Sequence, residues 1–223
     1  MTENLNKQPT RREALRVGLI GATAGLLSLA VSSSALAAVE NTGLSSILKP
    51  NAKKDAEVLN SAMKLEQMAI NTYTAAAQNN LLPTKTFLDV ALQFAADHGQ
   101  HRDRLKSVIS QKLHQTPMDI SNVGTFPIPK MVLHGKEGEV IRYALTLETL
   151  AAKAYFDNLE HKLTTDEGRD VSADIMPVEN QHMAVYRAVL MVLLKEKGLP
   201  GDDKLVPYSF LSDQPVPAVP TAN

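Results

Sequence analysis

The sequence of 223 residues contains neither cysteine nor tryptophan. Without cysteine there is no disulfide, no thiolate metal site, no iron–sulfur cluster and no cysteine nucleophile. An excess of positive charge is also missing, since 23 lysines and arginines stand against 24 aspartates and glutamates. Nucleic acid is therefore not an expected partner. What the chain does have is 44% hydrophobic residues, enough for one domain with a buried core.

The first 37 residues have the three-part layout of an export signal. The arginine pair Arg11-Arg12 precedes a short apolar run at 17–31, which is rich in glycine and alanine. Small residues at Ala35 and Ala37 end the segment. The apolar run is too short for a helix that spans a membrane. The layout therefore predicts a signal peptide at 1–37.

The arginine pair and the weak hydrophobicity of this segment resemble a twin-arginine signal. Ala14 departs from that pattern, which commonly has a phenylalanine there. The resemblance implies the twin-arginine translocation machinery as a partner, export of an already folded chain, and a periplasmic or secreted location. An ordinary Sec signal and an uncleaved anchor are the alternatives.

Four long segments carry apolar residues at every third or fourth position, which is the spacing of helices that bury one face. Short polar segments join the first two and the last two, whereas a long irregular stretch at 115–138 separates the two pairs. No strand pattern competes strongly. The sequence thus predicts an all-α four-helix bundle of two antiparallel hairpins joined by a long crossover. The predicted helices cover about 53–80, 86–113, 137–162 and 170–197. The bundle occupies 53–198, after a linker at 38–52 and before an extended or disordered Pro-rich tail at 199–223.

The two predicted hairpins repeat one pattern of polar residues. The segment LEQMAINTY at 65–73 aligns with LETLAAKAY at 147–155, and HGQH at 98–101 aligns with ENQH at 179–182. Such a repeat suggests an internal duplication. A bundle built from two similar hairpins has an approximate twofold axis, and the polar residues of both halves should meet near it.

Each half offers one glutamate on its first helix and two polar residues, three positions apart, on its second. Residues three apart share a helix face, and these residues lie on the apolar stripes, so they should converge in the core. Buried carboxylates that face one another are costly, and bound cations relieve both the desolvation and the repulsion. Carboxylate with imidazole suits iron, manganese or zinc. The candidate metal ligands are Glu66, His98, His101, Glu148, Glu179 and His182.

One glutamate from each of two helices, with Glu-x-x-His from each of the other two, is the ligand set of ferritin-like dimetal carboxylate sites. Between about 55 and 197 the chain resembles ferritin-like domain proteins, most closely the secreted desiccation-related branch. The resemblance implies two metal ions, iron or manganese. It matches Glu66 and Glu148 to the single glutamates, which would bridge or flank the metals. It matches Glu179 and His182 to one Glu-x-x-His motif and His101 to the second histidine.

His98 departs from the family pattern, which has a glutamate at that position. Asp97 is an alternative ligand, but the helical periodicity puts it at the edge of the apolar stripe, whereas His98 lies on the stripe. Three carboxylates should hold two trivalent ions less well than four. The departure therefore weakens the case for an iron oxidase and leaves manganese, a mixed pair, a single ion or no metal open.

Two classes of function follow from these residues. The first is a dimetal oxidoreductase of the cell envelope with catalase-like, peroxidase-like or ferroxidase-like chemistry, whose partners are a small oxidant or a metal ion. The second is a non-catalytic, stress-associated bundle with a degenerate or single-metal site. Iron storage in a cage has little support, since no fifth helix is evident after residue 200. The oligomeric state, a homo-oligomer included, stays open.

Overall fold

The computed structural model describes residues 50–199, 205 and 211–217. The predicted signal peptide at 1–37, most of the linker at 38–52 and much of the tail at 199–223 lie outside the described residues. The described part of the chain contains helices and connecting segments but no strand. None of its helices is long and apolar enough to cross a membrane.

Four long helices confirm the predicted all-α bundle, and a fifth, short helix lies in the crossover, where none was expected. The second, fourth and fifth helices each continue directly into one π-helical turn, at Val108–Lys112, Asn158–Lys162 and Val189–Leu193. In chain order the helices are α1 (Ala52–Gln78), α2 (Lys85–Ser107), α3 (Lys130–His134), α4 (Glu137–Asp157) and α5 (Asp166–Ala188).

Helix α5 starts four residues before the predicted position 170. The Thr165 side chain caps it by accepting a hydrogen bond of 3.1 Å from the backbone N–H of Gly168. The first turn of α5 is mostly polar, so the periodicity of apolar residues did not include it in the predicted helix. Pro177 lies inside α5 and therefore does not mark its start.

The helices pair as predicted, α1 with α2 and α4 with α5. Tyr73, late in α1, contacts Glu148 near the middle of α4, while Glu66 contacts Tyr155 further along α4. The helices α1 and α4 therefore run antiparallel. Two apolar clusters fill the bundle, one containing Phe94, Leu145 and Leu190, the other containing Leu59, Leu105 and Ile175. The predicted polar residues separate these clusters.

Asp55 ties the beginning of α1 to the connection between α4 and α5. Its side chain is fully buried. It accepts hydrogen bonds from the backbone N–H and the hydroxyl of both Thr164 and Thr165, at distances between 2.7 and 3.1 Å. These bonds satisfy a buried carboxylate without any cation. These hydrogen bonds of Asp55 with Thr164 and Thr165, the Asp55 clamp, therefore fix one end of the bundle.

Residues 211–217 of the Pro-rich tail lie against α4. The Lys153 ammonium donates hydrogen bonds to the carbonyls of Ser212 (3.2 Å) and Gln214 (2.6 Å). The Thr146 hydroxyl donates to the carbonyl of Pro217 at 3.4 Å. Gln214 is buried. This part of the tail thus covers the outer side of α4.

Candidate metal centre

The structure brings all six predicted ligands together in the middle of the bundle, and each is less than 10% exposed. Glu66 comes from α1 and Glu148 from α4, while α2 and α5 each contribute two residues one turn apart. Two groups of four side chains could each hold a metal ion, since in each group one ligand atom per residue lies within 4.8 Å of the others. The groups are Glu66, His98, His101 and Glu179, and His98, Glu148, Glu179 and His182.

His98 and Glu179 belong to both groups, so they lie at the centre. The two ring nitrogens of His98 face opposite halves of the bundle. Nδ1 lies 2.6 Å from Oε2 of Glu66, and Nε2 lies 3.3 Å from Oε1 of Glu148. Glu66 and Glu148 each belong to one group only. If two ions bind, Glu66 and Glu148 would flank them, which is one of the two predicted roles, and Glu179 would be shared by the two donor groups.

Asp97 does not take the position of the missing fourth glutamate. Its carboxylate lies 3.2 Å from Nε2 of His182, and Nδ1 of the same ring lies 3.2 Å from Glu148. Asp97 therefore contacts the outer nitrogen of a candidate ligand, and its side chain is 24% exposed. A carboxylate in that position orients the imidazole and raises its basicity. His98, on the apolar stripe, is the residue that points into the centre.

Two tyrosines connect the halves of the centre in a crossed arrangement. The hydroxyl of Tyr73 on α1 donates a hydrogen bond to Glu148 on α4, and the hydroxyl of Tyr155 on α4 donates one to Glu66 on α1. The repeat placed each tyrosine two turns after a glutamate of its own helix, but its partner is the glutamate of the other helix. Both tyrosines therefore hold the flanking carboxylates as well as packing in the core.

Phe94 also lies at the centre, and the sequence reasoning assigned it only to the apolar core. Its ring stacks on that of His182, with 3.9 Å between the ring centroids. The position of Phe94 on the apolar face of α2, one turn before His98, could have indicated this contact from the sequence. An apolar ring on this side limits the contact of His182 with water.

The neighbouring imidazoles favour the ionised form of the Glu66 and Glu148 carboxylates. Burial alone would raise the pKa of Glu66, but the neighbouring imidazoles of His101 and His98 outweigh it and hold the pKa at about 2. Burial acts on Glu148 in the same way, and the charge of His98 with hydrogen bonds from His182 and His98 lowers its pKa well below the ordinary range. The imidazoles therefore stabilise the charged form of both flanking carboxylates.

The glutamates in turn favour the protonated form of the three imidazoles. Burial would lower the pKa of His101 and of His182, but the glutamates close to each ring outweigh it and raise each pKa to about 9. The pKa of His98 lies well above its ordinary value, because the charge of Glu148 more than offsets burial. Protons on the histidines thus neutralise the carboxylates without metal. Bound cations are therefore not the sole way to offset the negative charge of this cluster.

Protonation of the histidines does not provide the Glu179 carboxylate with hydrogen-bond donors. Among the described residues, neither of its carboxylate oxygens has an aligned hydrogen-bond donor. Nδ1 of His101 lies 2.9 Å from Oε1 but is not directed for a hydrogen bond. Burial accordingly raises the pKa of Glu179. A fully buried carboxylate with free lone pairs, between two sets of imidazole and carboxylate donors, fits a metal ion.

The fold and the arrangement of these side chains define a ferritin-like helical bundle. The family model described as ferritin-like domain matches residues 54–192, and the chain belongs to this family. No curated protein gives a significant match. The family assignment confirms the ferritin-like resemblance, while the desiccation-related branch and the twin-arginine signal stay predictions.

Proposed function

We propose that the protein is an exported dimetal oxidoreductase that acts on peroxide, oxygen or Fe(II) in protection against stress. The observation that supports two metal ions is the pair of overlapping donor groups, which share His98 and Glu179. Glu66 and His101 would complete one metal position, and Glu148 and His182 the other. Two iron or manganese ions would supply redox chemistry that no side chain of this chain provides.

The chain itself supplies orientation and proton transfer. Tyr73 and Tyr155 fix one oxygen of each flanking carboxylate, which leaves the second oxygen of Glu148 and Glu66 directed to the histidines. Glu179, without aligned donors, is free to change its coordination. Imidazoles that lose their protons to solvent when metal binds would regain them when it leaves. Export, in this proposal, delivers the folded and loaded protein to the periplasm or beyond.

Metal analysis of protein purified from its native compartment tests this proposal. We expect two equivalents of iron or manganese, and consumption of hydrogen peroxide or Fe(II) by the purified protein. Glu148→Ala should lose metal and activity. Glu57→Ala, the same change at an exposed position of α1, is the matched control and should retain both. If Glu148→Ala retains the metal and raises stability, the dimetal proposal is wrong.

The second candidate function is a non-catalytic, stress-associated bundle with a degenerate or single-metal site. It is favoured by the three imidazoles that can neutralise the three carboxylates by protonation, and by His98 in place of a fourth carboxylate. Natively purified protein would then contain one ion or none. If the site is degenerate, adding Mn(II) or Fe(II) to metal-free protein would leave its melting temperature unchanged, and if it holds a single metal the increase would be complete at one equivalent. The dimetal proposal requires an increase that continues to two equivalents.

A further inference from the structure

A long apolar cleft leads from the surface of the bundle to the candidate metal centre. It has a volume of about 500 Å³ and lies between α1 and α4, with residues of the crossover closing part of it. Pockets of a few hundred to about 1,000 Å³ are the usual size of small-molecule sites. Glu66, His98 and Glu148 line the cleft. Peroxide, oxygen and Fe(II) need no apolar space of this size, so the cleft points to a larger ligand.

The cleft is elongated because it follows one face of each helix. On α1 its lining extends from Val58 to Ala76, which corresponds to about 27 Å along the helix axis. Small residues keep it open beside the carboxylates, since Ala69 follows Glu66 by one turn and Ala151 follows Glu148 by one turn. These alanines occupy equivalent positions of the internal repeat. A linear molecule therefore fits the space better than a compact one.

The two ends of the cleft differ in polarity. Since α1 and α4 are antiparallel, Ser61 on α1 lies at the same end as Asn158 and Lys162 after α4, and this end is polar. Lys162 forms an ion pair of 2.5 Å with Asp157, and 47% of its side chain is exposed, so further donors of its ammonium can reach a ligand. The opposite end is almost entirely apolar. It is lined by Leu81, Leu82, Ile128, Val132, Val140 and Ile141.

The rim of the cleft is also apolar where it meets solvent. Leu65 on α1 and Leu150 on α4 line it and are 43% and 46% exposed. These leucines give the cleft an apolar entrance, which suits an aliphatic ligand. Apart from Tyr143, whose hydroxyl is already bonded to the carbonyl of Pro127, the polar groups of the cleft lie at its middle and at the Lys162 end. This distribution matches a chain with one polar head group.

We propose that this cleft binds a long-chain aliphatic carboxylic acid. Its carboxylate contacts Lys162 and Asn158, its chain passes the metal centre, and its methyl end lies among the apolar residues of the closed end. The inference rests on the proposed function in that it names the substrate class of the same centre. It places a middle segment of the chain, and not the head group, next to Glu66, His98 and Glu148.

Calorimetric titration of the full chain with octadecanoic acid and with octadecan-1-ol tests the proposal. We expect one molecule of acid to bind per chain, more tightly than the alcohol. Lys162→Met should lower the affinity for the acid about threefold, the size of effect of an exposed ion pair, and leave the alcohol unaffected. Equal affinity for acid and alcohol, or equal losses in the variant, would overturn the proposal.

Ala69→Phe and Ala151→Phe fill the cleft from opposite helices and should each weaken binding of the acid by about tenfold or more. Ala173→Phe, the same change at an exposed position of α5 outside the cleft, is the control and should bind normally. Thermal melts show that each variant is folded. Full-affinity binding in a folded Ala69→Phe or Ala151→Phe variant overturns the proposal. A dimer that binds no acid, and in which a second copy of the chain covers the cleft, also overturns it.

Measuring metal content in the same samples separates this inference from the proposed function. Metal-loaded protein that binds no acid contradicts the ligand assignment alone. Metal-free native protein that binds the acid contradicts the dimetal enzyme while supporting a fatty-acid site in the cleft.

Discussion

Tyr73 and Glu148 lie on opposite hairpins of the bundle, and the tyrosine hydroxyl donates a buried hydrogen bond to the carboxylate. Tyr155 and Glu66 repeat this contact in the opposite direction. Each hairpin of the bundle thus positions the flanking carboxylate of the other hairpin. Burial and the negative charge of the partner glutamate raise the pKa of both tyrosines well above the ordinary value, so both remain donors at every physiological pH.

Removing either tyrosine hydroxyl should weaken metal binding. In Tyr73→Phe and in Tyr155→Phe a buried carboxylate loses a donor, and we expect each protein to lose about 1–3 kcal/mol of stability. Metal affinity should fall similarly in both variants, because the two contacts are equivalent. Equilibrium metal titration and denaturant unfolding measure the two effects.

Tyr143→Phe is the control for these variants. The Tyr143 hydroxyl donates to the carbonyl of Pro127 in the crossover, away from the candidate ligands. Its loss should reduce stability but leave metal affinity at the wild-type value. A fall in metal affinity as large as that of Tyr73→Phe would show that the effect is a general consequence of destabilisation.

The stability of metal-free protein should decrease as the pH rises from about 6.5 to 9. His101 and His182 have folded-state pKa values of about 9, above the ordinary 6.5. Their contribution is complete below pH 6.5 and is lost as the pH passes through 9. The loss should be on the order of a few kcal/mol. Melting temperatures of metal-free protein across this range measure it.

Metal should reverse this pH dependence. Ligation requires neutral imidazole, so binding releases protons and becomes stronger between pH 6.5 and 9. The gain in melting temperature on adding Mn(II) should therefore increase with pH. His101→Gln should flatten both profiles, whereas His161→Gln, at a side chain 63% exposed, should not. A metal-free melting temperature that stays constant over this range would refute the assigned protonation.

The sequence predicts the helices and the convergence of the six side chains, because helical periodicity places His98 and Glu179 on buried faces without reference to tertiary contacts. Contacts between helices are harder to predict. The repeat identified Tyr73 and Tyr155 but not the glutamates that they contact. Residue spacing within one helix does not determine how α1 and α4 are aligned with each other. Helix α3 was missed because one turn is too short for a periodic signal.

The cleft could not be predicted from the sequence for a related reason. Ala69 and Ala151 look like ordinary residues of a bundle core, and their spacing is that of packed helices. Only the separation of α1 from α4 shows that their side chains leave a space unfilled. The Asp55 clamp was also missed, since its donors are residues 109 and 110 positions away in the chain.

Asp55→Asn should be strongly destabilising. The amide retains the shape of the side chain but presents its own N–H groups to donors from Thr164 and Thr165. Loss of several charge-assisted hydrogen bonds at a fully buried position should cost about 3 kcal/mol or more. Urea unfolding measures this loss, while metal stoichiometry should remain that of the wild type.

Asp89→Asn is the control for the clamp. Asp89 pairs with Lys85 on the surface of α2, where 56% of the Asp89 side chain is exposed. An exposed pair of this kind contributes about 0.5 kcal/mol or less, so the variant should unfold almost as the wild type does. Comparable losses in the two variants would contradict the clamp.

His98→Glu should convert the centre to a four-carboxylate set. His98 occupies the shared position of the two donor groups, so a glutamate there would add a negative charge and remove a positive one between Glu66 and Glu148. Without metal, the fourth carboxylate faces the others with only two imidazoles to neutralise them. Metal-free protein should therefore melt at a lower temperature than the wild type, and the deficit should be greatest near neutral pH, where carboxylates ionise.

With metal, the same substitution should be favourable. The added charge should increase the affinity for two ions and favour their trivalent state, which raises the melting temperature of the loaded variant by mass action. Metal titration with calorimetry measures both effects. His98→Gln has no added charge and serves as the control, with weaker metal binding than the wild type. If His98→Glu bound metal no better than His98→Gln, the shared position would not be a ligand position, and the two overlapping groups would not act as one dimetal centre.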